Sequence, residues 1–225
     1  MTTTVEDEYE DILERFGAPQ GGEAVRPEEV EDLRGILPAS YLDFLVRTGT
    51  GLWMDGYFQL CRPLDYRDVV TQLFRGDPDI APEETYTIGL SAFGKMELWN
   101  TRHQTVRVDP SFNRVICPSI TRDRRSKNPE RYLAIQVSSA DEDALEALDE
   151  NGNGLFKPLL RRDGPVPYGS IYAPRLHPAL GGRRTLDNYR IAAASPALSI
   201  AVQTAPYALY DTRSFQATRT VGTMP

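Results

Sequence analysis

The amino-terminal third of the chain carries apolar residues at the three-to-four-residue spacing of amphipathic helices. In the first of these segments Ile12, Leu13 and Phe16 form one apolar stripe, and Gly17 follows as a helix stop. In the third, Pro38 stands at the first turn of a helix, where its missing N–H costs nothing. The pattern predicts four helical segments, at residues 5–16, 28–33, 38–49 and 62–74.

After the helix that begins at Pro38, shorter apolar stretches alternate with turn residues, which is typical of β-strands. Asp55-Gly56, between Trp53 and Tyr57, is the strongest short-range signal for a two-residue hairpin turn. Later strand-like segments follow one another with short turns between them, and this order predicts an antiparallel meander. The predicted strands of this region are residues 85–90, 95–100, 105–109, 114–117 and 131–137.

The carboxy-terminal third is predicted to be less regular. Ser139 and the acidic residues after it indicate the start of a helix that ends at Asn-Gly-Asn-Gly. Segment 165–182, rich in proline and glycine, predicts irregular but packed chain, and helical stretches are predicted at 186–194 and 197–203. The tail from Thr212 is expected to lie at the periphery. The predicted fold class is therefore α+β, with amino-terminal helices packed on an antiparallel meander sheet and a smaller helical and irregular carboxy-terminal part.

Length and composition are those of a chain with a substantial hydrophobic core. The chain has 225 residues, of which 40% are hydrophobic, enough for one large or two small domains. Its apolar runs fall short of the roughly 18 residues of a membrane span, and its acidic first residues are unlike a signal peptide. A cytoplasmic protein without membrane contact is expected. Cys61 and Cys117 lack CxxC spacing and are expected to be buried thiols.

The negative charge is concentrated at one end of the chain. Residues 1–32 contain eleven acidic residues against Arg15 and Arg26, whereas the formal net charge of the whole chain is −7. A solvated helix face is one interpretation. The other is a surface that attracts a basic partner, such as a protein whose DNA groove is lined with Lys and Arg, because complementary fields speed association. Direct binding of nucleic acid is disfavoured at a pI of about 5.0.

The motifs that resemble catalytic or metal-binding sequences are incomplete. Segment 149–154 reproduces the first six positions of an EF-hand loop, but Leu160 replaces the bidentate glutamate and position nine is Lys157. His103 and His177 have no Cys, His or carboxylate at metal-ligand spacing. The sequence therefore predicts no catalytic residue, no cofactor and no metal site.

Acidic and aromatic residues in loops are the candidates for contact with a protein partner, because aromatic side chains supply affinity and charges supply selectivity in interfaces. Two of them are expected at the tip of the Asp-Gly hairpin, and the others lie in the loops that follow. The candidates are Asp55, Tyr57, Asp65, Tyr66, Asp77, Asp79, Glu83, Glu84 and Tyr86. A separate basic cluster is either a solvated loop or a phosphate contact, and consists of Arg122, Arg124, Arg125, Lys127 and Arg131.

Three segments carry a family resemblance. LPASYLDFLVRTGTGLWMDGYFQLCRPLDY, residues 37–66, resembles the GAD-like domain in its Leu-Pro, its aromatic-rich helix, Gly-x-Gly, tryptophan and Asp-Gly-aromatic turn. AFGKMELWN, residues 92–100, is similar to the Phe-Gly strand of that family. PYGSIYAPRLHPALGG, residues 167–182, resembles the uncharacterised domain that commonly follows it. The resemblance covers about residues 10–205 and implies a GAD-like domain at 1–112 and a companion domain at 113–225.

The function that the resemblance implies is toxin neutralisation. Proteins with this domain pairing are known as immunity partners of nuclease toxins delivered by type VI secretion. The implied role is a cytoplasmic antitoxin that binds a cognate DNase toxin stoichiometrically and has no enzymatic activity. Two alternatives stay open: a nucleic-acid or tRNA-associated accessory module that uses the basic cluster, and a hydrolase whose carboxylates converge in the fold.

Overall fold

The computed structural model describes residues 4–122 and 125–223. A nine-stranded sheet runs through the molecule in the order β1-β2-β3-β4-β5-β6-β7-β10-β11. Neighbouring strands are antiparallel except β7 and β10, which are parallel, and β8 pairs with β9 in a separate antiparallel sheet. The strands are β1 (Gln20–Gly21), β2 (Gly51–Trp53), β3 (Phe58–Leu60), β4 (Thr85–Ser91), β5 (Met96–Asn100), β6 (Gln104–Asp109), β7 (Arg114–Ile116), β8 (Ser170–Pro174), β9 (Tyr189–Ala193), β10 (Tyr207–Tyr210) and β11 (Ala217–Val221).

Helices cover both faces of the large sheet. On one face α1, α3 and α6 pack over a core that contains Tyr41, Trp53 and Phe58, while α4 and α9 pack on the other over Leu98 and Val106. Within the described residues no helix is both long and apolar enough to cross a membrane. The helices are α1 (Val5–Phe16), α2 (Pro27–Val30), α3 (Ala39–Thr48), α4 (Arg67–Phe74), α5 (Pro118–Arg122), α6 (Pro129–Ser138), α7 (Glu142–Leu145), α8 (Phe156–Asp163) and α9 (Ala194–Thr204). The predicted α+β class is confirmed.

The predicted helix and hairpin of the amino-terminal part are present. α3 follows Pro38 and ends where Gly49, at φ 75°, donates its N–H to the carbonyl of Leu45. The hairpin pairs Trp53 with Phe58, so its loop has four residues rather than the predicted two. The predicted meander at residues 85–117 is also confirmed as β4 to β7.

The predicted strand at 131–137 is wrong, because these residues form α6. The Asn128 side chain accepts a hydrogen bond from the Arg131 N–H at 3.0 Å, and Pro129 occupies the first helical position. Leu133 and Val137, four residues apart, are both buried on the side that faces the sheet. The helical cap and this spacing determine the structure of the segment.

Three predictions for the carboxy-terminal third also need correction. The helix expected after Ser139 starts instead behind Asp141, whose carboxylate accepts from the Ala144 N–H at 2.8 Å, and it lasts about one turn as α7. The helix expected at 186–194 is a 3₁₀ turn followed by β9, and the segment expected to be irregular contains β8. The tail from Thr212 lies at the periphery as expected, where it forms β11, the edge strand of the large sheet. For β8 and β9, pairing of the two strands with each other overrides the local helical and irregular signals.

The proposed boundary between residues 112 and 113 falls between β6 and β7, which are neighbours in one sheet. Contacts also cross it on the helical side, where α1 packs against α6. The Tyr57 ring stacks on Phe156 with 3.5 Å between centroids, and the Tyr57 hydroxyl donates to Glu146 at 3.0 Å. The two halves therefore share cores and a sheet, and their division into two domains stays a prediction.

Candidate partner-binding surface

The first helix is held to the protein by one side and exposes the other. Thr4 and Asp7 form a reciprocal capping box, with distances of 2.7 and 3.2 Å between backbone nitrogen and side-chain oxygen. Tyr9 stacks on Phe44 with 4.5 Å between ring centroids, and Ile12 is fully buried. These contacts fix which residues of α1 point away from the protein.

The exposed side of α1 and the neighbouring surface are strongly acidic. Arg47 of α3 bonds to Glu10 of α1, and Arg34 joins Asp43 of α3 to Glu31, so the three segments adjoin one another. We call this surface the acidic face. It consists of eight carboxylates and two arginines: Glu6, Asp7, Glu10, Asp11, Glu14, Glu31, Asp32 and Asp43, with Arg34 and Arg47.

Several carboxylates of the acidic face lack a cation. Among the described residues, Glu6, Asp11 and Glu14 form no ion pair. Glu6 and Glu10, Glu10 and Glu14, and Asp7 and Asp11 are each four residues apart on α1, where like charges destabilise a helix. At about 0.2–0.5 kcal/mol for each pair, the stripe costs α1 roughly 1 kcal/mol. This cost is partly offset, because Arg47 pairs with Glu10 and because Glu6 and Asp7 lie in the first turn, where the helix dipole favours acidic residues.

Of the nine partner-contact candidates, the structure leaves two well exposed. Asp55 lies at the tip of the β2–β3 hairpin with a left-handed φ of 56°, and Glu83 lies in a 3₁₀ turn before β4. Both side chains are accessible to a partner. Their contact with one stays a prediction.

Two of the three candidate tyrosines, Tyr57 and Tyr86, are buried. Tyr57 packs between α8 and the hairpin through the contacts with Phe156 and Glu146 described above. The ring of Tyr86 lies under the guanidinium of Arg67, with 5.0 Å from the carbon of that group to the ring centroid. Both aromatic rings stabilise the fold, because their surfaces are already covered.

Asp77 and Asp79 converge, but they do so on a cation of the carboxy-terminal strand. The Asp77 carboxylate accepts from both terminal nitrogens of Arg219, at 2.6 and 2.9 Å, and from three backbone N–H groups, of Asp79, Ile80 and Gly222. Arg219 also bonds to Asp79 at 2.7 Å. The Arg219 and backbone hydrogen bonds lower the pKa of Asp77 against the effect of its burial. This cluster fastens β11 to the loop after α4.

The remaining candidates are half-buried. The Asp65 carboxylate accepts from the Arg62 N–H at 3.0 Å and from the Tyr168 hydroxyl at 3.4 Å, and burial raises its pKa. Tyr66, at φ 61°, precedes α4, and Glu84 pairs with Arg102 at 3.5 Å. Their contacts are all within the chain. Each keeps part of its surface in solvent.

The basic cluster of the alternative hypothesis is also engaged within the protein. Arg125 donates to the carbonyl of Arg102 at 2.6 Å, and Arg131 pairs with Glu8 at 2.9 Å. Arg124 lies outside the described residues. Lys127 is exposed.

The reactive side chains of the described residues have structural partners. Cys61 and Cys117 are buried free thiols, as predicted. Ser119 lies 3.2 Å from His103 Nδ1, but its hydroxyl donates to the backbone carbonyl of His103 and is almost fully buried. Within residues 4–122 and 125–223, no group of three or more His, Cys, Asp or Glu side chains is arranged to hold a metal ion.

In segment 149–154 the Asp149 carboxylate accepts from the N–H groups of Asn151 and Asn153, each at 2.8 Å. These two bonds use the same oxygen and close the loop on itself. The segment therefore has the internal hydrogen bonds of a tight turn.

One surface was missed by the sequence-based prediction. A cavity of about 280 Å³ lies between α9, the β8–β9 sheet and the turn after β8. Leu176, Leu180 and Ile200 line it with exposed side chains. We call it the α9 groove. The signal in the sequence is the absence of any charged residue from α9, since a surface helix normally has a charged side.

Comparison with known proteins places the chain in a family. The sequence profile of the GAD-like domain matches residues 7–112. The chain is similar to the crystal structure of Atu4351 from Agrobacterium tumefaciens, with 37% sequence identity and a TM-score of 0.91. The match covers 96% of this chain and 99% of that chain. No curated protein matches the chain. The chain thus contains a GAD-like domain at residues 7–112 and belongs, over nearly its whole length, to the same family as Atu4351.

Proposed function

We propose that the protein is an immunity protein that binds a nuclease toxin of a type VI secretion system and neutralises it in the cytoplasm. The motif resemblance that implies this role lies in the GAD-like domain and in the segment after it. Inhibition is by stoichiometric binding, and the protein itself has no catalytic activity. The partner is a protein, with no direct contact to nucleic acid or membrane.

The observation that carries the proposal is the acidic face. A nuclease holds DNA in a basic groove because the phosphate backbone must be neutralised. A folded surface with eight carboxylates and two arginines presents the opposite charge in a fixed arrangement. Complementary fields of this kind raise association rates and fix orientation.

The contact must be tight, because one nuclease molecule that escapes cleaves DNA many times. A dissociation constant of about 1 nM or lower, which corresponds to about −12 kcal/mol, is the expected scale. At that affinity most of the toxin is bound when the two proteins are present in comparable amounts.

The first test is whether a gene adjacent to this one encodes a nuclease toxin and whether this protein neutralises that nuclease. Charge reversal on the acidic face follows. The double variant Asp11→Lys/Glu14→Lys alters two exposed residues of α1 that form no ion pair among the described residues. We expect at least a tenfold slower association with the nuclease and loss of protection of cells that express it. The reason is the loss of the attractive field.

The matched control is Asp68→Lys/Asp187→Lys, which changes the net charge equally at exposed positions outside the acidic face. It should change association by less than about threefold, since distant surface charges are screened at physiological salt. Equal effects of both double variants would show that net charge, and not the acidic face, sets binding. Failure of the unaltered protein to bind the nuclease would remove the proposed function altogether.

A further inference from the structure

The α9 groove gathers large apolar side chains that solvent reaches. Leu176, Leu180 and Ile200 are 47%, 61% and 68% exposed, and all three line the same cavity. Single exposed apolar residues are ordinary in soluble proteins, but several around one concavity mark an interaction site. The groove lies beside α9, on the sheet face opposite to α1. It is therefore a surface distinct from the acidic face.

The charged side chains that line the groove itself are cations. Arg175 and Arg190 are exposed and line it, and no acidic residue or lysine does. Both arginines also line an adjoining depression that contains Asp163 and Asp187. In the described part of the chain neither guanidinium forms an ion pair or a side-chain hydrogen bond. These two cations are available to an anionic partner.

His177 does not share this role, because both of its ring nitrogens are occupied. Nε2 lies 3.0 Å from the carbonyl of Pro110, and Nδ1 accepts from the Ala179 N–H at 3.2 Å. The imidazole is buried and holds the turn after β8 in place. The charged recognition groups of the groove are therefore the two arginines.

The shape of the groove fits an elongated occupant. Pro196, Ile200 and Thr204 recur every four residues along α9 and form one wall. Ala197 and Ala201, on the same side of the helix, carry only small side chains and leave room for close approach. With eleven residues α9 is about 16 Å long, which matches three turns of a helix laid beside it.

We propose that the α9 groove binds an acidic amphipathic helix of another protein. Its apolar side packs on Leu176, Leu180 and Ile200, and its carboxylates pair with Arg175 and Arg190. This is the helix-in-groove mode of recognition, in which apolar residues at helical spacing anchor the ligand. The proposal does not depend on the identity of the partner that contacts the acidic face.

The test uses two model peptides of about 15 residues, both with leucine at every third or fourth position. One has glutamate at the other positions, and the second has lysine. Titration into the isotope-labelled protein, followed by amide NMR shifts, is expected to show the glutamate peptide bound at residues 176–180 and along α9. The lysine peptide should bind at least tenfold more weakly. Vesicles of anionic phospholipid should not compete with the glutamate peptide.

Charge reversal makes the prediction specific. In Arg175→Glu/Arg190→Glu the preference should invert, so that the lysine peptide binds better. The matched control, Arg75→Glu/Arg213→Glu, alters two other exposed arginines and should keep the original preference. All four positions are exposed, so folding is expected to be unaffected, and circular dichroism checks this.

A pair of neutral variants tests the apolar contact. Ile200→Ser should weaken binding of the glutamate peptide at least fivefold, whereas Leu64→Ser, at a residue 52% exposed elsewhere, should leave it unchanged. The proposal is overturned if neither peptide binds, if both bind equally, if the shifts map outside the groove, or if anionic vesicles displace the glutamate peptide. Retention of the original preference by the charge-reversed groove would also overturn it.

Discussion

Replacement of Asp77 by alanine is expected to destabilise the whole protein, because this carboxylate joins the first and last parts of the chain. Its side chain is completely buried and accepts five hydrogen bonds, two from Arg219 and one each from the N–H groups of Asp79, Ile80 and Gly222. In Asp77→Ala the three N–H groups lose their acceptor. Arg219 loses the nearer of its two carboxylate partners.

The magnitude follows from these contacts. Each backbone donor left without its acceptor costs about 1 kcal/mol. Breaking a buried ion pair by removing one partner costs about 3–5 kcal/mol in total. Arg219 keeps its ion pair with Asp79 and its side chain is 26% exposed, so its charge is not left buried without a partner. We therefore expect the free energy of unfolding to fall by about 3–4 kcal/mol at neutral pH.

The assay is urea unfolding, followed by tryptophan fluorescence and by circular dichroism. Asp79→Ala is the matched control, because its side chain is 41% exposed and its loss should cost less than about 1 kcal/mol. The folded-state pKa of Asp77 is lowered, so its stabilising contribution is complete above the ordinary value of 3.8 and is lost as the pH falls below it. The unaltered protein and Asp77→Ala should therefore converge in stability at acidic pH. Similar stabilities for Asp77→Ala and Asp79→Ala at pH 7 would refute the assigned role.

Three other changes test the packing and the electrostatics. Tyr57→Phe should lower the free energy of unfolding by about 1–2 kcal/mol in chemical denaturation, because the Glu146 carboxylate loses a donor at 3.0 Å while the aromatic packing remains. Gly89→Ala should cost about 3 kcal/mol in the same assay, because a Cβ there would lie 2.2 Å from the Phe58 ring; an unchanged stability would contradict this packing. Burial lowers the pKa of His103 and His177, so below about pH 6.5 the unfolded chain binds more protons than the folded one. Stability should fall between about pH 7 and 5.5, and a replacement of both histidines by asparagine that left this slope unchanged would assign it to other groups.

The elements that could be predicted from the sequence are those whose signals are local. The helix at 5–16, the helix that ends at Gly49 and the Asp-Gly hairpin each contain their own stop or turn residues. α6 was mispredicted although Asn128 and Pro129 mark its start, because the β-prone residues after them outweighed the cap. The β propensity of a segment's own residues cannot predict its secondary structure when the side that it buries depends on a sheet elsewhere in the chain.

The same distinction separates the candidate surfaces. Most of the acidic face follows from the charge count of residues 1–32 and could be predicted, whereas the position of Asp43 beside them could not. The burial of Tyr57 depends on Phe156, about one hundred positions further along the chain, and could not. The α9 groove brings Leu180 and Ile200 together from separate segments. Only the fold shows that they share one surface.

Direct measurement of the complex tests the central proposal. The purified protein is titrated in a calorimeter at physiological salt with the nuclease toxin identified beside its gene, and DNA cleavage is followed in the same mixtures. We expect one-to-one binding with a dissociation constant of about 1 nM or lower, and cleavage that stops when the two proteins are equimolar. Absence of binding, or full cleavage in the presence of excess protein, would contradict the assignment as an immunity protein.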